Sequence, residues 1–182
     1  CPTATVVVSH TLQRHYETTH HRRPEVIPNA VIPCRPIEPD RIKRFGLEKR
    51  RFILFAGRIS PEKGVHTLLE AMRPLRDRMP LVIAGGSSYS DYYVLKVRAM
   101  AWEDTRFIGS VPHEDMEELL SNCYAYVLPS VMEGLSISLL EAVSYGACII
   151  TTSIPENLEV VGDCALTFPV GDVEALHEAL RS

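Results

Sequence analysis

Short apolar runs alternate with amphipathic stretches along most of this chain. Arg51–Ala56 (R-F-I-L-F-A), Leu81–Ala84, Thr105–Ile108, Tyr124–Leu128, Ala147–Thr152 and Ala165–Phe168 read as strands. Several of them are apolar throughout, as expected of strands buried on both faces. Between them, Val65–Arg73, Asp91–Trp102, His113–Asn122, Leu139–Tyr145, Glu156–Val161 and Val173–Leu180 read as helices. Val65, Leu68, Leu69 and Met72 recur at helical spacing, as do Met116, Leu119 and Leu120. Pro74 predicts a break or kink. Strands alternating with helices of this length predict βαβ units, hence an α/β fold with a doubly wound parallel sheet.

The chain before Arg51 is less regular. Thr3–Val8 is β-branched and strand-like, and Ser9 is placed to cap a helix running to about Tyr16. Glu25–Asn29 reads as another short strand. Pro33, Pro36 and Pro39 exclude a helix interior and predict a surface connection to Asp40. Arg41–Phe45 then predicts a helical turn ending at Gly46.

The length of 182 residues suits one domain or slightly more, and 46% hydrophobic with 23% charged residues suits a globular core. A net charge of −4 excludes bulk attraction to nucleic acid or an anionic membrane, and His20–Arg23 reads as a short solvated basic face. The five cysteines have no paired metal spacing, and Cys123 and Cys148 lie in apolar runs as small core residues. A reducing, cytoplasmic compartment is the expectation. No run is long enough to span a membrane, and no signal-peptide pattern is present. Starting at Cys1, the chain reads as an excised fragment. The seven histidines show no ligand spacing, so no metal is expected.

The candidate chemistry gathers where predicted strands end. In an open α/β sheet, ligands bind outside the carboxyl ends of the strands. After Arg51–Ala56 come Gly57, Arg58 and Lys63: a glycine that lets backbone approach a ligand, a planar donor fork and a mobile ammonium. Together they suit a diphosphate, although two solvated cations on a glycine turn would look the same. After Tyr124–Leu128 comes Pro129–Ile149, with Glu133 and Glu141 eight positions apart across a strand-to-helix turn. A helix starting near Ser136 or Ser138 presents free N–H groups to an anion, or is simply a serine-capped helix. Carboxylates beside a phosphate site suit sugar hydroxyls; as a bare pair they also suit glycoside hydrolysis or helix-dipole stabilisation. Gly85-Gly86-Ser87-Ser88 reads as a tight turn, and Trp102, Tyr92 and Tyr93 as packing residues.

Five motifs in order carry a family resemblance: Val26–Val31 (V-I-P-N-A-V), Phe55–Gly64 (F-A-G-R-I-S-P-E-K-G), Phe107–Pro112 (F-I-G-S-V-P), Pro129–Ala142 (P-S-V-M-E-G-L-S-I-S-L-L-E-A) and Pro155–Asp163 (P-E-N-L-E-V-V-G-D). From about Glu25 onward the chain resembles the C-terminal, donor-binding domain of retaining glycosyltransferases built from two Rossmann-like domains, the GT-B fold. Within these it is similar to glycosyl transferases group 1, which includes sucrose synthases, mannosyltransferases and bacterial polysaccharide enzymes. The resemblance implies that residues 24–182 form the nucleotide-sugar domain and 1–23 the end of an N-terminal acceptor domain. It implies that Arg58 and Lys63, beside Gly57, bind the donor diphosphate. Glu133 would contact the donor sugar next to Gly134, Leu135 and Ser136, and Glu141 would accept from the ribose. Backbone around Ser138, Leu139 and Leu140 would cradle phosphate, and backbone near Val111 would meet the nucleobase. The catalytic set would be Arg58, Lys63 and Glu133, with no metal, because the basic pair stabilises the leaving diphosphate. The implied reaction moves a hexose from a UDP-, GDP- or ADP-sugar to a hydroxyl of an acceptor sugar or glycolipid, with the absent N-terminal domain as partner. That domain would also be the route to any membrane surface.

Two departures stand out. Gly134-Leu135-Ser136 replaces the common Gly-Phe-Gly, and Ala30 replaces a usual Gly. The alternatives of another class are a non-catalytic nucleotide-binding module, a glycoside hydrolase, and a sugar-nucleotide epimerase or phosphorylase of similar fold.

Overall fold

Eight parallel strands and seven α-helices are present in a computed structural model that describes residues 4–86 and 91–182. The Ser87-Ser88 turn and Thr3 lie outside the described residues. The main sheet has six strands: β3 (Ile53–Ala56), β4 (Leu81–Ala84), β5 (Thr105–Gly109), β6 (Ala125–Leu128), β7 (Ile149–Thr152) and β8 (Leu166–Phe168). Their order across the sheet is β5-β4-β3-β6-β7-β8, every pair parallel. The chain starts in the middle, winds outward to β5, crosses back to β6 and winds outward the other way. The doubly wound, Rossmann-like fold expected from the alternation is therefore borne out. β3 and β6 flank the switch point, where two successive crossovers leave in opposite directions and open a crevice.

All four residues of β3, β4, β6 and β7 are buried, which accounts for their unbroken apolar runs. β3, β6, β7 and β8 are shorter than the runs that predict them, because ladder pairing ends before the flanking residues do; β4 matches its run and β5 extends one residue further, to Gly109. Between them lie α2 (Val65–Met72), α3 (Asp91–Met100), α4 (His113–Asn122), α5 (Ile137–Ser144), α6 (Pro155–Val161) and α7 (Val173–Arg181). Pro74 acts as expected: α2 stops at Met72 and continues as a 3-10 turn, Arg73–Leu75.

The face of α4 departs from its apolar pattern. Asp115, Glu118 and Asn122 are buried on it, while Met116 is only partly covered. The reason is the 3-10 turn Arg41–Phe45, which packs there. Glu118 Oε2 accepts from the backbone N–H groups of Asp40, Arg41 and Ile42 at 2.9, 2.7 and 3.2 Å. Arg44 donates to Asp115 and Arg41 lies 3.6 Å from it. Buried charge is tolerated because it is paired and hydrogen-bonded.

The N-terminal unit is separate in pairing. β1 (Val6–Val7) and β2 (Glu25–Val26) form a two-stranded parallel sheet around α1 (His10–His20). Ser9 caps α1 as expected, accepting from Leu12 N–H at 3.2 Å. The helix runs four residues past Tyr16, since nothing before His21 breaks it. Glu159 of α6 meets the start of α1, accepting from His10 N–H at 2.8 Å. Tyr93 is buried against His66 (2.8 Å between Nδ1 and the phenol oxygen), whereas Tyr92 is exposed. Cys123 is buried and burial pushes its thiol up to about 12. Cys148, expected in the core, is exposed at the start of its strand.

Candidate active site at the switch point

Two loops meet at the crevice. The first follows β3 and carries Gly57, Arg58 and Lys63; its end is a 3-10 turn, Pro61–Lys63, closed by Gly64 in a left-handed conformation. The second follows β6 and runs from Pro129 to Ser136. Gly64 brings them together. Its φ is +67°, and a Cβ there would lie 2.1 Å from the Pro129 carbonyl oxygen, so only glycine allows this approach. Val131 N–H donates to the Glu62 carbonyl at 2.8 Å, a second link. Gly85, after β4, is similarly constrained: a Cβ would lie 2.0 Å from the Gly57 carbonyl oxygen, and Gly57 N–H donates to Ala84 at 2.9 Å.

Across this seam, Lys63 Nζ donates to both carboxylate oxygens of Glu133, at 2.6 and 2.8 Å. Only 14% of the Lys63 side chain and 7% of the Glu133 side chain are exposed. Ser130 Oγ donates to Glu133 Oε1 at 2.7 Å. Arg58 stands on the outer side of the same β3 loop, exposed, 3.9 Å from Glu62. Ser60 donates to Glu62 at 2.6 Å, and this bond, more than the Arg58 charge, holds the Glu62 carboxyl below the usual range. Arg58 is thus exposed beside Glu62, while Lys63 is nearly buried against Glu133.

Helix α5 begins at Ile137 with Ser136 as its N-cap, in line with the start expected near Ser136 or Ser138. Ser136 Oγ accepts from Leu139 N–H at 3.4 Å and its carbonyl from Leu140 N–H at 3.1 Å. The open helix-start N–H groups among the described residues are therefore those of Ile137 and Ser138, so of the expected Ser138, Leu139 and Leu140 cradle only Ser138 keeps a free N–H. Ser138 Oγ lies 3.1 Å from Ser136 Oγ and accepts from the Tyr126 phenol at 2.9 Å. Tyr126 is fully buried on β6, and burial raises its phenol far above the ordinary value, so it stays protonated and keeps a hydrogen to donate. The negative charges of Glu133 and Glu141 raise it further.

Glu141 sits one turn into α5, partly buried, and among the described residues its carboxylate has no hydrogen bond or ion pair. Burial raises its carboxyl above the ordinary value, the nearby His113 opposes this, and Glu117 adds to it. Tyr145 donates to Glu117, and His113 Nε2 lies 3.6 Å from Glu117. Gly109 ends β5 and Val111 lies between β5 and α4; the Gly109 carbonyl accepts from Gly85 N–H at 2.7 Å. Gly134 packs under Val8 and Leu12 of the N-terminal unit, and the Leu135 carbonyl accepts from Asn29 Nδ2 at 2.9 Å.

Lys63 and Glu133 are therefore in direct contact; Gly57 and Arg58 lie on the loop after β3 with Lys63, and Ser136, Ser138 and Glu141 lie on the cap and helix that follow Glu133. Ser130 and Tyr126 were not singled out from the sequence. Ser130 stands three residues before Glu133 inside a motif already recognised, and Tyr126 is the one hydroxyl in an otherwise apolar strand. No group of three or more His, Cys, Asp or Glu side chains among the described residues is placed to hold a metal ion. No helix among them is long and apolar enough to cross a membrane.

Comparison with known proteins agrees with the motifs. The family model "Glycosyl transferases group 1" matches residues 37–182. The O-antigen chain mannosyltransferase B of Escherichia coli is 30% identical over 158 residues, covering 84% of this chain and 40% of that protein. The glycogen synthase of Mycobacterium tuberculosis is 34% identical over 136 residues, covering 71% of this chain and 33% of that protein. The chain thus spans less than half the length of these relatives. Among solved structures, Anabaena HepE in complex with UDP and glucose superposes with a TM-score of 0.88 at 17% identity, over 98% of this chain and 52% of that one. Sucrose-phosphate synthase from Thermosynechococcus elongatus superposes at 0.81 and 22% identity, over all of this chain and 49% of that one. With its doubly wound sheet, its two paired crossover loops and a family match over most of its length, the chain belongs to the glycosyl transferases group 1 family.

Proposed function

We propose that this chain is the donor-binding part of a retaining glycosyltransferase that moves a hexose from a UDP-, GDP- or ADP-sugar to an acceptor hydroxyl. The carrying observation is the contact between Lys63 of one crossover and Glu133 of the other, nearly buried at the switch point. A cation and an acid held there suit the two ends of a sugar diphosphate. Arg58 and Lys63 take the diphosphate and stabilise the charge that grows as it leaves, without a metal. Glu133 accepts from the sugar, and Glu141, whose carboxylate has no partner among the described residues, accepts from the ribose hydroxyls. The open N–H groups of Ile137 and Ser138 add donors for phosphate. The solved complexes of HepE with UDP and with UDP-glucose support a nucleotide-sugar ligand for a domain of this shape. The O-antigen relative supports a role in polysaccharide assembly.

On this reading residues 24–182 serve the donor, and residues 1–23, whose Val8 and Leu12 lie against Gly134, belong to the end of an N-terminal acceptor domain. The compartment is cytoplasmic. Calorimetric titration with UDP, GDP and ADP tests the reading directly. One of them should bind, and Arg58→Ala should weaken it at least tenfold, the size of a lost charged hydrogen bond. No binding of any of the three would overturn the donor-site reading. Loss of sugar transfer on Glu133→Ala, in a polypeptide that also carries the acceptor domain, separates a catalytic from a purely binding role.

A further inference from the structure

We propose that Ser130 is the positioning residue of Glu133, the group that keeps this carboxylate in place once Lys63 turns to a diphosphate. The inference rests on the donor-site reading above. Glu133 has two hydrogen-bond partners, and they differ in kind. Lys63 is a charged, flexible side chain on the β3 loop, reaching both carboxylate oxygens. Ser130 is a neutral donor to Oε1 alone, at 2.7 Å.

The two partners also differ in freedom. Ser130 is fully buried, and its surroundings hold its backbone on three sides. Its carbonyl accepts from Thr152 Oγ1 at 2.6 Å. Thr152 is held in turn by Asn157, whose Nδ2 lies 3.0 Å from the threonine hydroxyl. On one side the Pro129 carbonyl abuts Gly64, and on the other Val131 N–H is bonded to Glu62. A hydroxyl on this backbone cannot follow a ligand. An ammonium on a four-carbon stem can.

This difference matters when a diphosphate arrives. Its charge competes with Glu133 for Lys63. A nearly buried carboxylate that loses its cation is costly, and with no other partner it would swing toward water. The Ser130 hydroxyl removes that choice by satisfying Oε1 from a fixed point. Oε2, the oxygen that Lys63 releases, is then open to a sugar hydroxyl, and the carboxylate plane is already set. Ser130 therefore governs how much the sugar adds to nucleotide affinity, not how well the nucleotide itself binds.

The experiment is a calorimetric panel on the chain with UDP, GDP and ADP and with UDP-glucose, GDP-mannose and ADP-glucose. For the base that binds, the affinity ratio of nucleotide sugar to nucleotide measures the contribution of the sugar. Ser130→Ala and Ser130→Cys should lower that ratio about tenfold, the effect of losing a hydrogen bond to a charged group. The nucleoside diphosphate affinity should stay within about twofold. Ser130→Cys leaves no cavity, its sulfur being somewhat larger than the oxygen, and replaces a strong donor with a weak one, so together with Ser130→Ala it reports on the bond. Ser130→Thr, which restores a hydroxyl, should recover the ratio. An unchanged ratio in the Cys variant overturns the proposal, as does an equal loss for nucleotide and nucleotide sugar. A wild-type chain that binds nucleotide with no gain from the sugar overturns it too. Absence of nucleotide binding in the wild-type chain overturns the donor-site reading itself.

Discussion

The Lys63–Glu133 pair joins two crossovers, so its removal should be felt in stability as well as in binding. Pairs in solvent are worth about 0.2–1 kcal/mol, whereas breaking a buried pair by removing one partner costs about 3–5 kcal/mol. With 14% and 7% of the two side chains exposed, this pair lies nearer the buried limit. Ser130 remains to Glu133 when Lys63 is removed, which softens that variant. Lys63→Met and Glu133→Gln should therefore each destabilise the chain by about 2–3 kcal/mol. The double variant leaves no unpaired charge, so it should be less destabilised than the sum, with a coupling of about 1.5–2.5 kcal/mol. Urea unfolding followed by circular dichroism measures all four corners, and unchanged slopes would show that only the folded state is affected. Single-variant losses under about 0.5 kcal/mol that simply add would refute the reasoning. Such a result would make the contact a solvated surface pair and remove the main support for a shared cleft.

Further outcomes follow from the same geometry. Gly64→Ala should cost more than the about 1–2 kcal/mol of a left-handed residue, because its Cβ also meets the Pro129 carbonyl at 2.1 Å. Gly146→Ala, at the same φ of +67° with nothing within 4 Å, should show the conformational cost alone, so the difference in urea midpoint between the two reports the loop contact. Glu141→Gln should stabilise the chain at neutral pH. Burial raises the folded carboxyl of Glu141 above its unfolded value, so the folded state favours the protonated form. The penalty is present above the folded pKa and vanishes below the unfolded one, so the gain from Gln should shrink as pH falls through that window. Thermal melts at neutral and acid pH check the trend, and nucleotide affinity should fall in the same variant if Glu141 serves the ribose.

Much of this molecule was legible as a string of residues because it depends on near neighbours. Buried strands such as Ile53–Ala56 declare themselves through unbroken apolar runs, and Ser9 and Ser136 mark helix starts through bonds to N–H groups three residues on. The turn glycines and the motif around Glu133 are equally local. Other features depend on residues far apart. The order of the six strands could not be read from alternation, since each strand pairs with a partner chosen by packing. The buried acids of α4 look like a solvated face until Arg41, Arg44 and the backbone of residues 40–42 cover them.

The site divides in the same way. Arg58, Lys63, Glu133 and Glu141 could be named from their loops, because loops after strands are where an α/β sheet binds ligands. Which cation meets which acid was a tertiary decision: Gly64 against Pro129 brings Lys63, not Arg58, onto Glu133. Ser130 and Tyr126 gained roles only because Thr152 and Ser138 fold back to them across 22 and 12 residues of chain. Side-chain types and local turns are written in the sequence. Contacts between distant loops depend on how closely two backbones can approach, and that is settled only when the sheet has formed.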